Sequence, residues 1–347
     1  MNKKVLLGMS GGVDSSVSAV LLKERGYDVT GVTLNLFPCT SCCSYIDVKS
    51  LCRKIGVEHY ILDGKDDFKK YVIDDFIQSY DNCLTPNPCI ECNKYMKFGY
   101  MYEKAKELGC DYVATGHYAK VEYDEKYGKY VLRKSHAGRK DQSYVLWNIP
   151  KNMLEHVIFP LADFESKEKI REIAREHELP VANKPDSEDI CFIPDGDYKK
   201  FLEENSHIKP KPGSIILANG TVVGKHTGLY HYTIGQRKGL GISYKVPLFV
   251  IGFNKKNNEL IVGEEHELYK KEVTIKDINL LLVDDIYKPL RVSVKTRYSS
   301  KEAGATATQI DNNTIKIVFD EPQARITPGQ SAVMYIDDIV VGGGKII

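Results

Sequence analysis

No apolar run in this chain approaches the roughly 20 residues that a bilayer-spanning helix requires, which argues against an integral membrane protein. A secretory signal is missing too. Lys3 and Lys4 precede only a short apolar stretch that runs into a Gly-Ser loop, with neither an h-region nor a cleavage pattern. The expected location is therefore the cytoplasm. Net charge is nearly absent, since 48 basic residues against 47 acidic ones leave +1. Any contact with nucleic acid must then come from local patches. No internal repeat or low-complexity tract occurs. What is present is length: 347 residues suffice for two or three compact units, each with its own core. Nine cysteines in a cytosolic chain do not read as a disulfide framework, because that compartment keeps thiols reduced. Catalysis or metal ligation is expected of some of them.

The first half alternates short apolar runs with amphipathic stretches of helix length: Lys4–Met9, Ser15–Arg25, Val29–Phe37, Ile46–Ile55 and His59–Leu62. That rhythm predicts an α/β unit with a doubly wound parallel sheet. Gly26 and Gly56 suit left-handed helix stops. A further strand, Tyr112–Thr115, follows a helical run over Lys94–Leu108 and ends in Gly116-His117. Ligands of such sheets sit at the carboxyl ends of the strands, here at 10–15, 34–37 and 116–117. Glu122–Lys134 reads as a hairpin turning at Tyr127-Gly128-Lys129, and Ser166–His177 as a helix capped by Ser166 with Pro180 beyond it. After about Asn205 short β-rich segments take over. Breaks at Pro210–Gly213 and Lys276–Asp285 predict three units: 1–206 as the α/β domain with a helical extension, 207–275 as a small β-rich domain and 276–347 as a C-terminal β-barrel.

Gly8-Met9-Ser10-Gly11-Gly12-Val13-Asp14-Ser15-Ser16 follows the first strand and opens the first helix. Its glycines admit an anion close to the backbone, its serines offer hydroxyls, and the helix start supplies oriented N–H groups. The Gly-Lys-Ser/Thr of a P-loop triphosphatase is lacking, and with it the phosphate-clamping lysine. A Gly-Ser turn that merely joins strand to helix is the plain alternative. The segment resembles the SGGxDS loop of the PP-loop ATP pyrophosphatases, which implies a grip on pyrophosphate, transfer of AMP to a substrate oxygen, and use of Mg²⁺. Relatives that make GMP, NAD or asparagine share this loop, so it is silent on substrate.

The cysteines narrow the choice. Thr85-Pro86-Asn87-Pro88-Cys89-Ile90-Glu91-Cys92-Asn93-Lys94 holds two thiols on a proline-stiffened loop, and a third, Cys191, lies far along the chain within Ser187–Ile193. Together with Ala114–Tyr118, Lys140–Ser143, Asp189–Ile193, Tyr232–Gly239, Arg297-Tyr298 and Thr327–Gln330, these segments resemble the bacterial tRNA-specific 2-thiouridylase family over nearly the whole chain. The resemblance implies Cys92 as catalytic cysteine and Cys191 as persulfide carrier. It implies ATP contacts at Gly8, Met9, Ser10, Gly11, Gly12, Val13, Asp14, Ser15, Leu34 and Gly116. It places Asn87, Pro88 and Cys89 beside the target base, and His117, Lys140, Asp141, Gln142, Arg297, Tyr298 and Gln330 against tRNA. The implied reaction is adenylation of the C2 oxygen of the wobble uridine, then sulfur transfer. The implied partners are glutamate, glutamine and lysine tRNAs and a sulfur source: a cysteine desulfurase, a relay protein or free sulfide.

Some residues carry two readings. Arg133, Lys134, Arg139 and Lys140 form either an RNA patch or a solvated hairpin face. Arg297 beside Tyr298 can pair charge with a stacking face for a flipped-out nucleotide. His117 is either a satisfied core histidine or a ligand-facing group at the sheet edge. Cys52, Cys83 and Cys110 read as small apolar residues.

Many family members carry Asp where this chain has Cys89. With Cys92 and Cys191, the substitution makes a thiolate triad suited to a 4Fe–4S cluster with one iron open to sulfide. The rival scheme keeps Cys191 as persulfide carrier, Cys92 as resolving thiol and Cys89 as a spare nucleophile. A zinc site of Cys39 and Cys42 with Cys89 and Cys92, near Cys43, ranks third. The competing functions are a small-molecule PP-loop ligase or amidotransferase, for which no glutaminase domain is evident, and a non-catalytic metal- or RNA-binding module.

Overall fold

The structure, a computed structural model, describes residues 2–37, 45–185 and 190–347. Cys39, Cys42 and Cys43, with the zinc expectation they carry, lie outside the described residues, as do Ser187 to Asp189.

The first unit contains β1 (Lys4–Gly8), β2 (Asp28–Asn35), β3 (Glu58–Asp63), β4 (Tyr112–Ala114), a hairpin of β5 (Ala119–Asp124) and β6 (Lys129–Lys134), and β7 (Val157–Ile158). Strands β3-β2-β1-β4-β7 form one parallel sheet. Successive β1 residues point to opposite faces, and both faces are covered. Val5 and Leu7 enter a core with the first helix (Val13–Glu24), the Tyr45–Ile55 helix and the Lys167–Glu176 helix, whereas Leu6 enters a second core with Phe98, Met101 and Trp147. Gly26 (φ +83°) and Gly56 (φ +75°) end their helices in the left-handed conformation. Ser166 does stand at the N-cap of the Lys167–Glu176 helix, but its hydroxyl makes no capping bond; burial of Ile170 and Ala174 anchors the helix instead. Strand order reverses between β1 and β4, which opens a crevice where the loops after these two strands meet.

Strands β8 (Gly213–Leu217), β9 (Val222–His226), β10 (Phe249–Asn254) and β11 (Glu259–Gly263) form a small sheet over Ile215, Val250, Leu260 and Val262. The last unit is a closed antiparallel barrel of β12 (Tyr269–Leu280), β13 (Leu290–Lys295), β14 (Ala303–Asp311), β15 (Thr314–Ala324), β16 (Ser331–Ile336) and β17 (Ile339–Ile346), sealed by pairing of β12 with β17. A boundary at residue 276 therefore cuts through a barrel strand. Asp277 has φ +53° and the register shifts between Lys276 and Asn279. This bulge interrupts the alternation and reads as a break in sequence.

The β5–β6 hairpin does not stay with its own sheet. It extends the barrel sheet through β17, with Ile339 opposite Arg133. The barrel also completes the second core of the parallel sheet, into which it sends Leu281, Val333, Tyr335 and Val340. The parallel-sheet unit and the barrel thus share one apolar interior, and burial holds the barrel against the sheet.

Candidate active site

In the phosphate loop Gly11 adopts φ +73° and Gly12 is the N-cap of the first helix. The serines shape the turn. Ser10 N–H donates to Ser15 Oγ at 3.2 Å, and the hydroxyls of Ser15 and Ser16 donate to the Gly12 carbonyl at 3.2 and 2.8 Å. Met9 and Val13 are core residues, 2 % and 4 % exposed, so their backbones alone can face a nucleotide. Leu34, half-buried near the end of β2, packs against the core on either side of it. Gly116 closes the crevice from β4, and a Cβ there would lie 2.9 Å from the Asp14 carbonyl carbon and the Ser15 nitrogen. Asp14 is held from two distant places: Tyr118 donates its hydroxyl to Oδ1 at 2.7 Å, and Lys167 donates Nζ to Oδ2 at 2.8 Å. Lys184 Nζ donates to the Gly11 carbonyl at 3.0 Å. Mg²⁺ is commonly held by one or two carboxylates together with substrate phosphates. Asp14 and the loop hydroxyls fit that pattern.

The 140–142 segment acts on this loop from behind. Gln142 Oε1 accepts from Tyr118 N–H at 2.9 Å, and Gln142 N–H donates to the Tyr118 carbonyl at 2.7 Å, which fixes the tyrosine that holds Asp14. Asp141 is buried and accepts from Ser135 N–H at 2.9 Å and Ser143 Oγ at 2.6 Å. Burial pushes its carboxyl up, against the pull of those bonds. Lys140 is exposed. Arg133 and Lys134 leave the expected basic patch: Arg133 pairs with Glu122, Asp124 and Asp338, and Lys134 with Glu302 at 2.6 Å. His117 is buried between Phe98 and Phe159, with Thr115 Oγ1 2.7 Å from Nδ1 and Lys97 Nζ 3.4 Å from Nε2. Burial, then the Lys97 charge, holds it well below the usual histidine range. It is thus neutral, with Nε2 accepting from Lys97 and Nδ1–H donating to Thr115.

Asn87 caps the short Pro88–Glu91 helix, its side chain accepting from Cys89 N–H at 3.2 Å, and Pro88 occupies the first turn. The helix continues through a wide-turned π segment, Cys92–Tyr100, of the kind that recurs at functional sites. Cys89 is exposed. Cys92 is buried among Phe192, Ile193 and Phe76, so the residues that follow Cys191 pack around it. Burial pushes the Cys92 thiol up to about 11, with Lys97 opposing. Cys191 is exposed on one side, yet the protein on its inner side, then the Cys92 and Cys89 thiols, pushes it up to about 12. Among the described residues no three His, Cys, Asp or Glu side chains converge as ligands of one metal ion. Cys52 is fully buried and Cys83 and Cys110 half-buried, as small apolar residues.

The barrel presses on the thiol loop. Gln330 Nε2 donates to the carbonyls of Thr85 and Pro86 at 2.8 and 3.3 Å, and Thr85 N–H donates to the Pro328 carbonyl at 2.9 Å. Arg297 does not pair with the Tyr298 ring; its guanidinium donates to the Ile234 carbonyl at 3.1 Å and to Thr327 Oγ1, joining the central unit to the barrel. The cation beside exposed Tyr298 is Lys295, 5.6 Å from the ring centre. Lys345 of β17 reaches Glu91 at 3.0 Å and Asp75 at 3.2 Å, and the Glu91 side chain is only 7 % exposed. Lys345→Met would strand that carboxylate beside Cys92. The expected loss is about 2 kcal/mol, below the usual cost for a buried pair because Lys345 is partly exposed. Urea unfolding measures it, and faster proteolysis within 84–92 would accompany it.

Tyr118, Lys167, Lys184 and Lys345 had no assigned role in the sequence reading. Their partners lie 104, 153, 173 and 254 residues away, and no local pattern signals such contacts.

The chain matches the family described as "tRNA methyl transferase HUP domain" over residues 3–195, the "tRNA methyl transferase PRC-barrel domain" over 199–264 and the "Aminomethyltransferase beta-barrel domain" over 270–346. It is 50% identical to "tRNA-specific 2-thiouridylase MnmA" of Clostridioides difficile, across 100% of this chain and 98% of that one. Proteins of the same name from Acetivibrio thermocellus and Clostridium beijerinckii are each 46% identical, across 99% and 100% of this chain and 99% of theirs. By this full-length similarity, and by the phosphate loop and thiol loop that its fold brings to one end of the sheet, the chain belongs to the tRNA-specific 2-thiouridylase family.

Proposed function

We propose that this protein uses ATP to adenylate the C2 oxygen of the wobble uridine in tRNA and then replaces that oxygen with sulfur. The observation that carries the reading is the crevice between β1 and β4, where the phosphate loop, braced by Gly116 and Tyr118, stands at the same sheet end as a thiol loop clamped by the barrel. The uridine O2 attacks the α-phosphorus and pyrophosphate leaves, which turns a poor leaving oxygen into a good one. The outer sulfur of a persulfide on Cys191 attacks C2, and AMP departs with the former O2. The Cys92 thiolate then takes the inner sulfur of Cys191, closing a Cys92–Cys191 disulfide that a cellular thiol reductant reopens. Exposed Cys191 suits loading by a cysteine desulfurase or relay protein, and buried Cys92 suits a thiol that acts after the substrate has closed the site. Cys89, Cys92 and Cys191 are the residues that would hold a 4Fe–4S cluster, and no step above passes through one.

The test is to incubate unmodified glutamate, glutamine and lysine tRNAs with ATP, Mg²⁺ and a persulfide donor. Nucleoside mass spectrometry should then find 2-thiouridine at the wobble position, with one AMP per sulfur. AMP formed at the same rate without tRNA would instead indicate a small-molecule ligase.

A further inference from the structure

Two exposed thiols accompany one buried thiol. Cys92 lies in a cluster with Phe76, Phe192 and Ile193, while Cys89 on its own helix and Cys191 on the segment packed there are exposed. Among the described cysteines these three alone act on one another electrostatically, Cys89 on Cys92 and both of them on Cys191. Cys52 belongs to the core beneath the first helix, and Cys83 packs against the central sheet.

A relay that ends in a Cys92–Cys191 disulfide must be reopened before Cys191 can take another sulfur. Half of that bond is hard to reach. Cys92 is 8 % exposed, so an external reductant cannot approach its sulfur and is left with Cys191, the position that faces the modified tRNA. Cys89 has no such obstacle. It stands three residues before Cys92 on one helix, and residues at that spacing share a face. Their Cβ atoms then lie ~5–6 Å apart, against the ~3.5–4.5 Å of a disulfide, so a small inward tilt of the first turn closes the gap. That turn is free to tilt: Pro88 has no N–H, and the Cys89 N–H is held by the Asn87 side chain at 3.2 Å rather than by a helical carbonyl.

We propose that Cys89 reopens the Cys92–Cys191 disulfide by exchange, moving it to Cys89–Cys92 and setting Cys191 free. This rests on the persulfide relay described above. The Cys89 sulfur attacks the Cys92 sulfur, the bond from Cys92 to Cys191 breaks, and Cys191 leaves with the electron pair and gains the proton that Cys89 gave up. No electrons are gained or lost in that step. A dithiol protein of the thioredoxin class then attacks the exposed Cys89 sulfur, reduces the Cys89–Cys92 bond and departs as its own disulfide. Cys191 can accept its next persulfide without waiting for the reductant.

The experiment uses the full-length protein and Cys89→Ser, both treated with a chelator and handled without oxygen, with circular dichroism confirming the fold of the variant. In one arm Cys191 is loaded by a cysteine desulfurase, and unmodified tRNA, ATP and Mg²⁺ are added without reductant. In the other arm, which contains no tRNA, nucleotide or persulfide, one equivalent of diamide oxidises one pair of thiols. Both are quenched with iodoacetamide, and peptide mass spectrometry identifies the disulfide and the alkylated cysteine. In both arms the wild-type protein should hold Cys89–Cys92 over Cys92–Cys191 by at least about tenfold, with Cys191 alkylated, because exchange between neighbouring thiols reaches its favoured pairing. Cys89→Ser should hold Cys92–Cys191 and lose the alkylated Cys191. Wild-type protein that keeps Cys92–Cys191 with alkylated Cys89 overturns the proposal, as does a main pairing of Cys89 with Cys191. Cys89–Cys92 formed with diamide, but no 2-thiouridine in the tRNA arm, would count against the thiolation reading and not against the exchange.

Discussion

Cys191→Ser or Cys92→Ser should lower tRNA thiolation by at least about 10³-fold, the scale of removing a covalent nucleophile, while pyrophosphate release in the first turnover persists. The two thiols belong to segments other than the phosphate loop: Cys191 is exposed, and Cys92 is buried with Phe192 and Ile193. Serine preserves their size and removes the sulfur chemistry. Cys89 separates the sulfur schemes. It is exposed on the first turn of a short helix capped by Asn87, so Cys89→Asp, the residue many family members carry, leaves the fold undisturbed. Under the relay, Cys89→Asp keeps substantial activity without iron. Under a cluster held by three thiolates, all three substitutions abolish thiolation together with any iron–sulfur absorbance. Quantifying 2-thiouridine, pyrophosphate and protein-bound iron for the three variants decides between them, and active Cys191→Ser protein would remove both schemes at once.

Gly116→Ala should lower tRNA-dependent AMP formation about 10²-fold, while tRNA affinity changes less than about twofold. The reason is steric. A Cβ at 116 would stand 2.9 Å from the Asp14 carbonyl carbon and the Ser15 nitrogen and 3.1 Å from Asp14 Cβ. The first two are backbone atoms at the start of a helix buried in the core, and they cannot swing aside as a flexible side chain could. The loop must then move by several tenths of an ångström, and misplacement approaching 1 Å can cost about 10²-fold in rate. The tRNA-facing candidate Tyr298, exposed on the barrel, belongs to a different unit and keeps its position. Radiolabelled AMP release and filter binding of tRNA measure the two quantities in parallel. A wild-type rate would mean that β4 and the phosphate loop part during turnover.

Local chemistry made much of this protein legible in its sequence. The alternation of Val5, Leu6 and Leu7 between two cores is the period of a strand covered on both faces, and Gly26 and Gly56 mark helix ends because glycine takes the left-handed conformation without a Cβ penalty. The phosphate loop was readable for the same reason: its glycines, serines and helix start are contiguous, so spacing along the chain equals spacing in the site. The thiol loop is likewise one short segment, and its resemblance to a known family supplied the distant Cys191.

Tertiary packing alone decided the rest. Arg297 and Tyr298 are neighbours in sequence, yet the guanidinium turns to Ile234 and Thr327 while the ring stays exposed beside Lys295. Arg133 read as part of a basic patch and is consumed by three carboxylates, one of them 205 residues away. The β5–β6 hairpin looked self-contained but pairs with the last strand of the barrel. Gln330 bonds to the thiol loop across 245 residues, and Asp14 is held by Tyr118 and Lys167 across 104 and 153. Secondary structure and the phosphate loop follow from interactions within a few residues, which a sequence states directly. The direction in which a charged side chain points depends on which units share a core, and that is settled only when the barrel closes and docks on the parallel sheet.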